Sequence, residues 1–274
     1  MSGEGLPGVS RTAVWVAGMR AVEHTRADRL FDDEFAGRFV AAAGGDVAAQ
    51  AAAALPGTSE FLAIRTRFFD DEARAAVTAG IRQMVLLAAG LDCRALRLDW
   101  PEGVRLFELD LPQVLAFKES ILASVDAVAR CLRVVVPVDL SGQWDDVLTG
   151  AGFDPDVATG WLAEGLLAYL NQPAVDRLLA TLTALSAPGS RAAFDYLETT
   201  ADQRPAMRAT CQTVQQMGAR LIPAVDRPAD RLAEHGWATR LFRVPVLGEH
   251  YGRPLPTGTD IVASNATALI TASR

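Results

Sequence analysis

Apolar positions change their rhythm near residue 83. Before it, Val14, Trp15, Ala17, Gly18 and Val22 follow a helical period with Arg20 and Glu23 interleaved. A second helix is expected over 33–42, and an alanine-rich one between Asp46 and Pro56-Gly57. One or two more fill Ser59 to Gly80, with Arg65, Arg67, Asp70 and Asp71 crowding the middle. After residue 83, short apolar runs alternate with helical stretches: strands at 83–88, 104–109, 133–138, 159–163 and 191–196, helices at 92–98, 112–124, 144–150 and 171–186. Pro112 and Asn171-Gln-Pro173 carry helix-start chemistry. That alternation predicts a parallel, doubly wound α/β sheet. Residues 198–235 read as a further helical stretch, and two last strands, 238–245 and 261–270, flank a long loop at 248–258. The expected organisation is one domain over 1–274, with residues 1–80 as a helical cap, 81–274 as the core and 198–235 as a helical insertion after strand five.

The first crossover suggests a nucleotide site. Strand one runs into the small-residue turn Ala88-Ala89-Gly90, and strand two ends in Asp110, twenty residues after Gly90. Small residues let a ligand approach the backbone, and an acid at the second strand end can accept from both hydroxyls of a ribose. The glycine fingerprint of dinucleotide sites is absent: its three positions are Ala88, Gly90 and Cys93. A tight pyrophosphate cradle is disfavoured, and with it NAD and FAD. A ligand with a ribose and no phosphate fits better, S-adenosyl-L-methionine (SAM) being the common one.

Ligands of open α/β sheets bind beyond the carboxyl ends of the strands. Four successive ends carry acids: Asp92 after strand one, Asp110 after two, Asp139 after three and Glu164 after four. Singly, each has an ordinary use as a helix cap or ion-pair partner. Together they suggest a cavity for ribose hydroxyls, an adenine amino group and an ammonium group.

Composition narrows the class. The chain has 274 residues, half of them apolar, and a net charge of −7 with interspersed signs. Without a basic stripe, nucleic acid is an unexpected partner. Three scattered cysteines suggest neither a disulfide framework nor a zinc site, and the chain reads as a reduced, cytoplasmic protein. No signal peptide or membrane-spanning run is expected. Either a monomer or a homodimer fits.

Several stretches resemble the leucine carboxyl methyltransferase family. They are Leu87-Ala-Ala-Gly-Leu-Asp-Cys-Arg-Ala-Leu-Arg97, Phe107-Glu-Leu-Asp-Leu-Pro112, Pro137-Val-Asp-Leu140 and Ala163-Glu-Gly-Leu-Leu-Ala-Tyr-Leu170. Thr12-Ala-Val-Trp, Arg20-Ala-Val-Glu23, Arg65-Thr-Arg-Phe-Phe-Asp-Asp71 and Tyr251-Gly-Arg-Pro254 are similar to its bacterial branch, which includes polyketide-tailoring O-methyltransferases. The resemblance implies a Rossmann-like class I SAM-methyltransferase sheet with an antiparallel C-terminal strand. It implies ribose binding by Asp110, adenine binding by Asp139 and Leu140, and a methionine moiety facing Ala88 to Gly90. Arg65 would hold the carboxylate, with Glu164 near the ammonium. The family usually has glycine where this chain has Ala88, so a methyl group there would crowd the cofactor.

The expected reaction is O-methylation of a small molecule in secondary-metabolite tailoring, with a carboxylate favoured over a phenol because it needs no base. Tyr196, His250 and Arg253 are the candidate acceptor-contacting residues, the last two because a loop between the final strands can reach the pocket. His24 and His235 read as structural. Two other readings stay open: a SAM-type fold repurposed for a reaction such as cyclisation, and a non-catalytic binding protein. An NAD-dependent oxidoreductase is weaker, for want of a pyrophosphate site.

Overall fold

The computed structural model describes residues 8–44, 57–198, 205–222, 227–256 and 267–274. The alanine-rich helix expected at 46–55 lies outside them. Among the described residues three helices precede the sheet: α1 (Gly8–His24), α2 (Ala36–Ala43) and α3 (Thr58–Thr78). Then come β1 (Gln83–Leu87), α4 (Arg94–Arg97), β2 (Arg105–Asp110), α5 (Pro112–Ala123), β3 (Leu132–Pro137) and α6 (Asp145–Gly150). They are followed by β4 (Thr159–Ala163), α7 (Gln172–Ala184), β5 (Arg191–Leu197), α8 (Pro205–Gln216) and α9 (Pro228–Glu234). The last elements are β6 (Ala238–Arg243), α10 (Val244–His250) and β7 (Thr267–Ser273).

The seven strands order as β3-β2-β1-β4-β5-β7-β6. The first five are mutually parallel, and β7 runs antiparallel between β5 and β6. The central strands β1 and β4 are buried along their whole length because both faces are covered. On one face β1, β2, β4 and β5 present Val85, Phe107, Trp161 and Phe194 to α6 and α7, through Leu148, Val175, Leu178 and Leu182. On the other, Met84, Leu106, Leu162 and Ala193 meet α3 and α10 through Phe68, Phe69, Ala73 and Leu247. The later turns of α3 are therefore a layer of the core, and the covering over the strand ends comes from α1 and the first turns of α3, with α2 packed against α1.

Local chemistry sets the helix starts. Asn171 caps α7 by accepting from Ala174 N at 3.0 Å, and Pro112 opens α5. One element departs from expectation. The strand expected to reach 245 stops at Arg243, and Val244 to His250 is helical where the loop was expected to begin. Pro245 in the first turn supplies a helical φ and lacks an N–H that would go unused there. Val244 and Leu247 turn together onto the sheet.

Among the described residues no helix is long and apolar enough to cross a membrane. No cluster of three or more His, Cys, Asp or Glu there could hold a metal ion.

Candidate active site

Pairing in register aligns the carboxyl ends of the strands. The last register pairs are Leu87 with Leu109, Leu86 with Leu162, and Ala163 with Phe194. Carried on by one residue, or by two from the pair Leu86 and Leu162, the register sets Asp110, Ala88, Glu164 and Asp195 in a row across the sheet, and all four line one cavity of about 250 Å³. The turn after β1 closes one end. Both Ala88 and Gly90 have positive φ, 55° and 50°. Gly90 N donates to Asp110 Oδ2 at 2.6 Å, and Leu111 N to Oδ1 at 2.7 Å. Burial pushes the Asp110 carboxyl up, against those two amides, which favour its charged form. Each oxygen keeps a lone pair for a ligand hydroxyl.

The other end is a web of buried charge. Arg65 Nε donates to Glu164 Oε1 at 3.2 Å and Nη1 to Asp195 Oδ2 at 3.1 Å. Asp195 Oδ1 accepts from Gly165 N at 2.6 Å. Glycine suits position 165, whose φ of +71° strains any residue with a side chain. Arg94, with 1% of its side chain exposed, reaches Asp70 at 2.8 Å, Glu164 at 2.8 Å and Asp92. Arg97 binds Asp70 through two contacts of 2.6 Å.

These partners decide the titration. Desolvation would raise Asp92, yet Arg94, Arg97 and Arg20 hold it down at about 2. For Glu164 too, Arg94 and Arg65 outweigh burial and lower the pKa. Asp195 goes up, because its burial exceeds the help of Arg65. Arginines 20, 65 and 94 and carboxylates 92, 110, 164 and 195 line the cavity, so one negative charge is in excess when all are ionised. That balance suits a ligand carrying net positive charge.

Helical elements cover the cavity. α1 lays Thr12, Trp15, Val16 and Arg20 across it. Arg20 Nη2 donates to Leu91 O at 2.7 Å, fixing α1 to the turn after β1. At the other end Thr12 shares a hydrogen bond with Tyr169. Trp15 and Met19 pack on Leu62 of α3 and on Met217, just beyond α8.

Of the residues expected from sequence, Arg65, Ala88, Gly90, Asp110, Glu164 and Tyr196 come together at this cavity. Asp139 and Leu140 are not in its wall. They stand beyond the end of β3, next to Asp110, where Val138 N donates to Asp110 O at 2.8 Å. Asp139 is exposed and accepts from Ser141 N at 2.8 Å.

The structure places His250 and Arg253 away from the cavity wall, correcting the expected reach of their loop. His250 is exposed at the end of α10, stacked beside Tyr251 at 5.3 Å. Arg253 is buried and turned to the N-terminal cap. Its Nη1 lies 3.1 Å from Glu23 Oε2, and its Nη2 donates to Asp28 O at 2.6 Å. Residues 257 and 258 of that loop lie outside the described residues.

Sequence reading missed Asp195, Arg94 and Asp70. An acid inside the run Ala192-Ala-Phe-Asp-Tyr-Leu197 was the available signal, since a charge inside a buried strand needs a partner. Arg94 and Asp70 gave none, because their pairing joins α4 to α3.

The sheet order, the antiparallel insertion of β7 and a cavity at the parallel strand ends together define a Rossmann-like class I methyltransferase fold. The chain belongs to the leucine carboxyl methyltransferase family: residues 13–183 match the family described as "Leucine carboxyl methyltransferase". Two relatives carry the name "Putative S-adenosyl-L-methionine-dependent methyltransferase". One, from Frankia alni, is 46% identical over 91% of this chain and 90% of its own. The other, from Parafrankia sp., is 42% identical over 96% and 88%. The fold is shared with the crystal structure of a "putative methyltransferase" from Thermobifida fusca, with a TM-score of 0.61 at 17% identity over 96% of this chain and 94% of that one. An O-methyltransferase family protein from Burkholderia thailandensis gives 0.52 at 14% identity, over 97% and 70%.

Proposed function

We propose that the protein is a SAM-dependent O-methyltransferase whose acceptor is a small molecule bearing a carboxylate, made or modified in secondary metabolism. The observation that carries this reading is the row Asp110, Ala88, Glu164 and Asp195 across the strand ends, in one cavity, with Asp110 anchored on Gly90 N. The residues present fit SAM. Asp110 has a free lone pair on each oxygen for the ribose hydroxyls. The bonds of Arg65 to Glu164 and Asp195 use Nε and Nη1, which leaves Nη2 for the amino-acid carboxylate. Glu164 and the excess negative charge suit the ammonium and sulfonium. Asp139 and Leu140, beyond the end of β3 and next to Asp110, would take the adenine edge.

When bound, SAM supplies a methyl group on a sulfonium, whose displacement by an acceptor oxygen forms the O–C bond as the C–S bond breaks, with the electron pair left on sulfur. This chain's part is alignment and exclusion of water. Trp15, Phe61 and Leu62 close the chamber over the strand ends. No histidine is among its lining residues, and its carboxylates 92, 164 and 195 are engaged by arginine. Burial pushes the hydroxyls of Tyr169 and Tyr196 up, so both stay protonated and act as donors. A chamber without a free base suits an acceptor that arrives ionised. The family's bacterial branch, with its polyketide-tailoring members, supports the metabolic assignment.

The test is calorimetric titration with SAM and S-adenosylhomocysteine (SAH), on wild type and Asp110→Ala. Losing the carboxylate is expected to weaken binding roughly 30-fold or more. Absence of SAH and SAM binding by wild type would sink the proposal. A second reading, a SAM-type fold turned to another reaction, draws on the methyl group of Ala88 in the cavity wall. SAM binding with no SAH released from any acid or phenol would favour it.

A further inference from the structure

Two polar groups on residues that line the cavity have no partner among the described residues. Trp15 Nε1 and Thr58 Oγ1 are each buried without a hydrogen bond. Their residues are 8% and 5% exposed, and both line the cavity. Neither is among the residues assigned above to the cofactor. Trp15 hangs from α1, and Thr58 opens α3 one helical turn before Leu62, against which Trp15 packs. Buried polar groups are almost always satisfied, so two orphans in one wall call for an explanation. An indole N–H can only donate. The missing partner is therefore a hydrogen-bond acceptor, which rules out an ammonium or another donor-only group at this place. Thr58 also lies in the first turn of a 21-residue helix, whose leading amides have no acceptor inside the helix and favour negative charge. Phe61 and Leu62 pack with Trp15, and Leu197, Val214 and Leu221 add further apolar surface to the cavity wall.

We propose that Trp15 and Thr58 form the acceptor subsite, holding one oxygen of the carboxylate of a small apolar acid by donation from the indole N–H and the threonine hydroxyl. This rests on the methyltransferase reading above and names the chemistry its second ligand must have: a carboxylate at one end and a hydrocarbon body that fills the α3–α8 side of the chamber. The subsite leaves the second carboxylate oxygen unbound and able to face the strand ends.

The test uses the full chain, ¹⁵N-labelled and saturated with SAH, with 4-phenylbutanoate as the probe and its methyl ester and 4-phenylbutylamine as controls. Five tryptophans give five indole signals, and Trp15→Phe assigns its own. The indoles of Trp100, Trp161 and Trp237 already donate, to Arg94 O, Ser186 Oγ and Thr183 Oγ1, and serve as internal references. The acid is expected to move the Trp15 signal downfield and leave those three in place. It should bind about tenfold more weakly to Trp15→Phe and to Thr58→Val, which keeps the shape of the side chain. The amine should not compete, and the ester should bind more weakly than the acid. SAH affinity should stay within about threefold in both variants. Equal acid binding by wild type and both variants, a stationary Trp15 signal, or no acid binding at millimolar concentration each overturns the subsite. If SAH itself does not bind, the methyltransferase reading fails. The acid titration without SAH then judges the subsite alone, by the same signal and the same two variants.

Discussion

Replacing Arg94 by methionine tests how the buried charge web holds the cavity together. The guanidinium serves Asp70, Asp92 and Glu164, and also donates to Thr66 O at 3.1 Å. The three acids do not lose equally. Asp70 keeps Arg97, and Glu164 keeps Arg65. Asp92 loses the only guanidinium it touches in an ion pair among the described residues, keeping Arg94 N at 2.6 Å. Breaking a buried pair by removing one partner costs about 3–5 kcal/mol. The pH dependence gives a sharper signature. Wild-type Asp92 goes from 3.8 to about 2 on folding. A depressed pKa adds stability that is full above 3.8 and lost as pH falls through about 2, worth roughly 2 kcal/mol at 1.36 kcal/mol per unit. In Arg94→Met desolvation stands without its main opponent, so the Asp92 carboxyl rises above its unfolded value. The variant then loses less, or gains, on acidification. Urea unfolding at pH 7.5 and pH 4.5 is expected to show a deficit of about 3–5 kcal/mol that narrows at the lower pH. If Arg94→Met is too unstable to study, Asp92→Asn serves: its stability should lack the decline that wild type shows between about pH 4 and pH 2. A deficit below about 1 kcal/mol at pH 7.5, or one independent of pH, would refute the reasoning.

Two further outcomes follow from the same contacts. Arg253→Met takes from Glu23, which is 5% exposed, its closest guanidinium, leaving Leu30 N at 2.7 Å and Arg26 at 3.7 Å, and should cost about 1.5–3 kcal/mol while exposing the 24–44 segment to protease; urea unfolding and limited proteolysis measure both, and unchanged resistance would count against the clasp. Ala88→Gly relieves a left-handed residue that costs an L-amino acid roughly 1–2 kcal/mol, offset by about 0.4–1 kcal/mol of added chain entropy in the unfolded state, so melting should rise by no more than about 2–4 °C. A fall of several degrees would show that the Ala88 methyl packs more than it strains.

The strand ends were legible because their signals are local. Ala88 to Gly90, Asp110 and Glu164 each follow an apolar run of strand length, and parallel pairing then brings them to one edge. What stayed hidden depends on contacts far along the chain. Arg253 meets Glu23 across 230 residues, and nothing near residue 253 names that partner. The helix Val244 to His250 was masked by its β-branched residues and by Gly248, which read as strand and loop. The positive φ of Ala88 could not be read at all, since alanine carries no marker for a left-handed backbone. Asp195 was readable in principle, as an acid within a buried strand.

The placement of β7 also sets an order for biosynthesis. β6 has β7 as its neighbour in the sheet, and β7 follows it only at residues 267–273. While the ribosome is still making the chain, β6 has no partner and the edge of β5 stays open. Arg253 likewise reaches Glu23 of the cap late, 230 residues after it. The half of the sheet that carries Gly90 and Asp110 can form early, while Thr267 joins the cavity wall only when β7 pairs with β5.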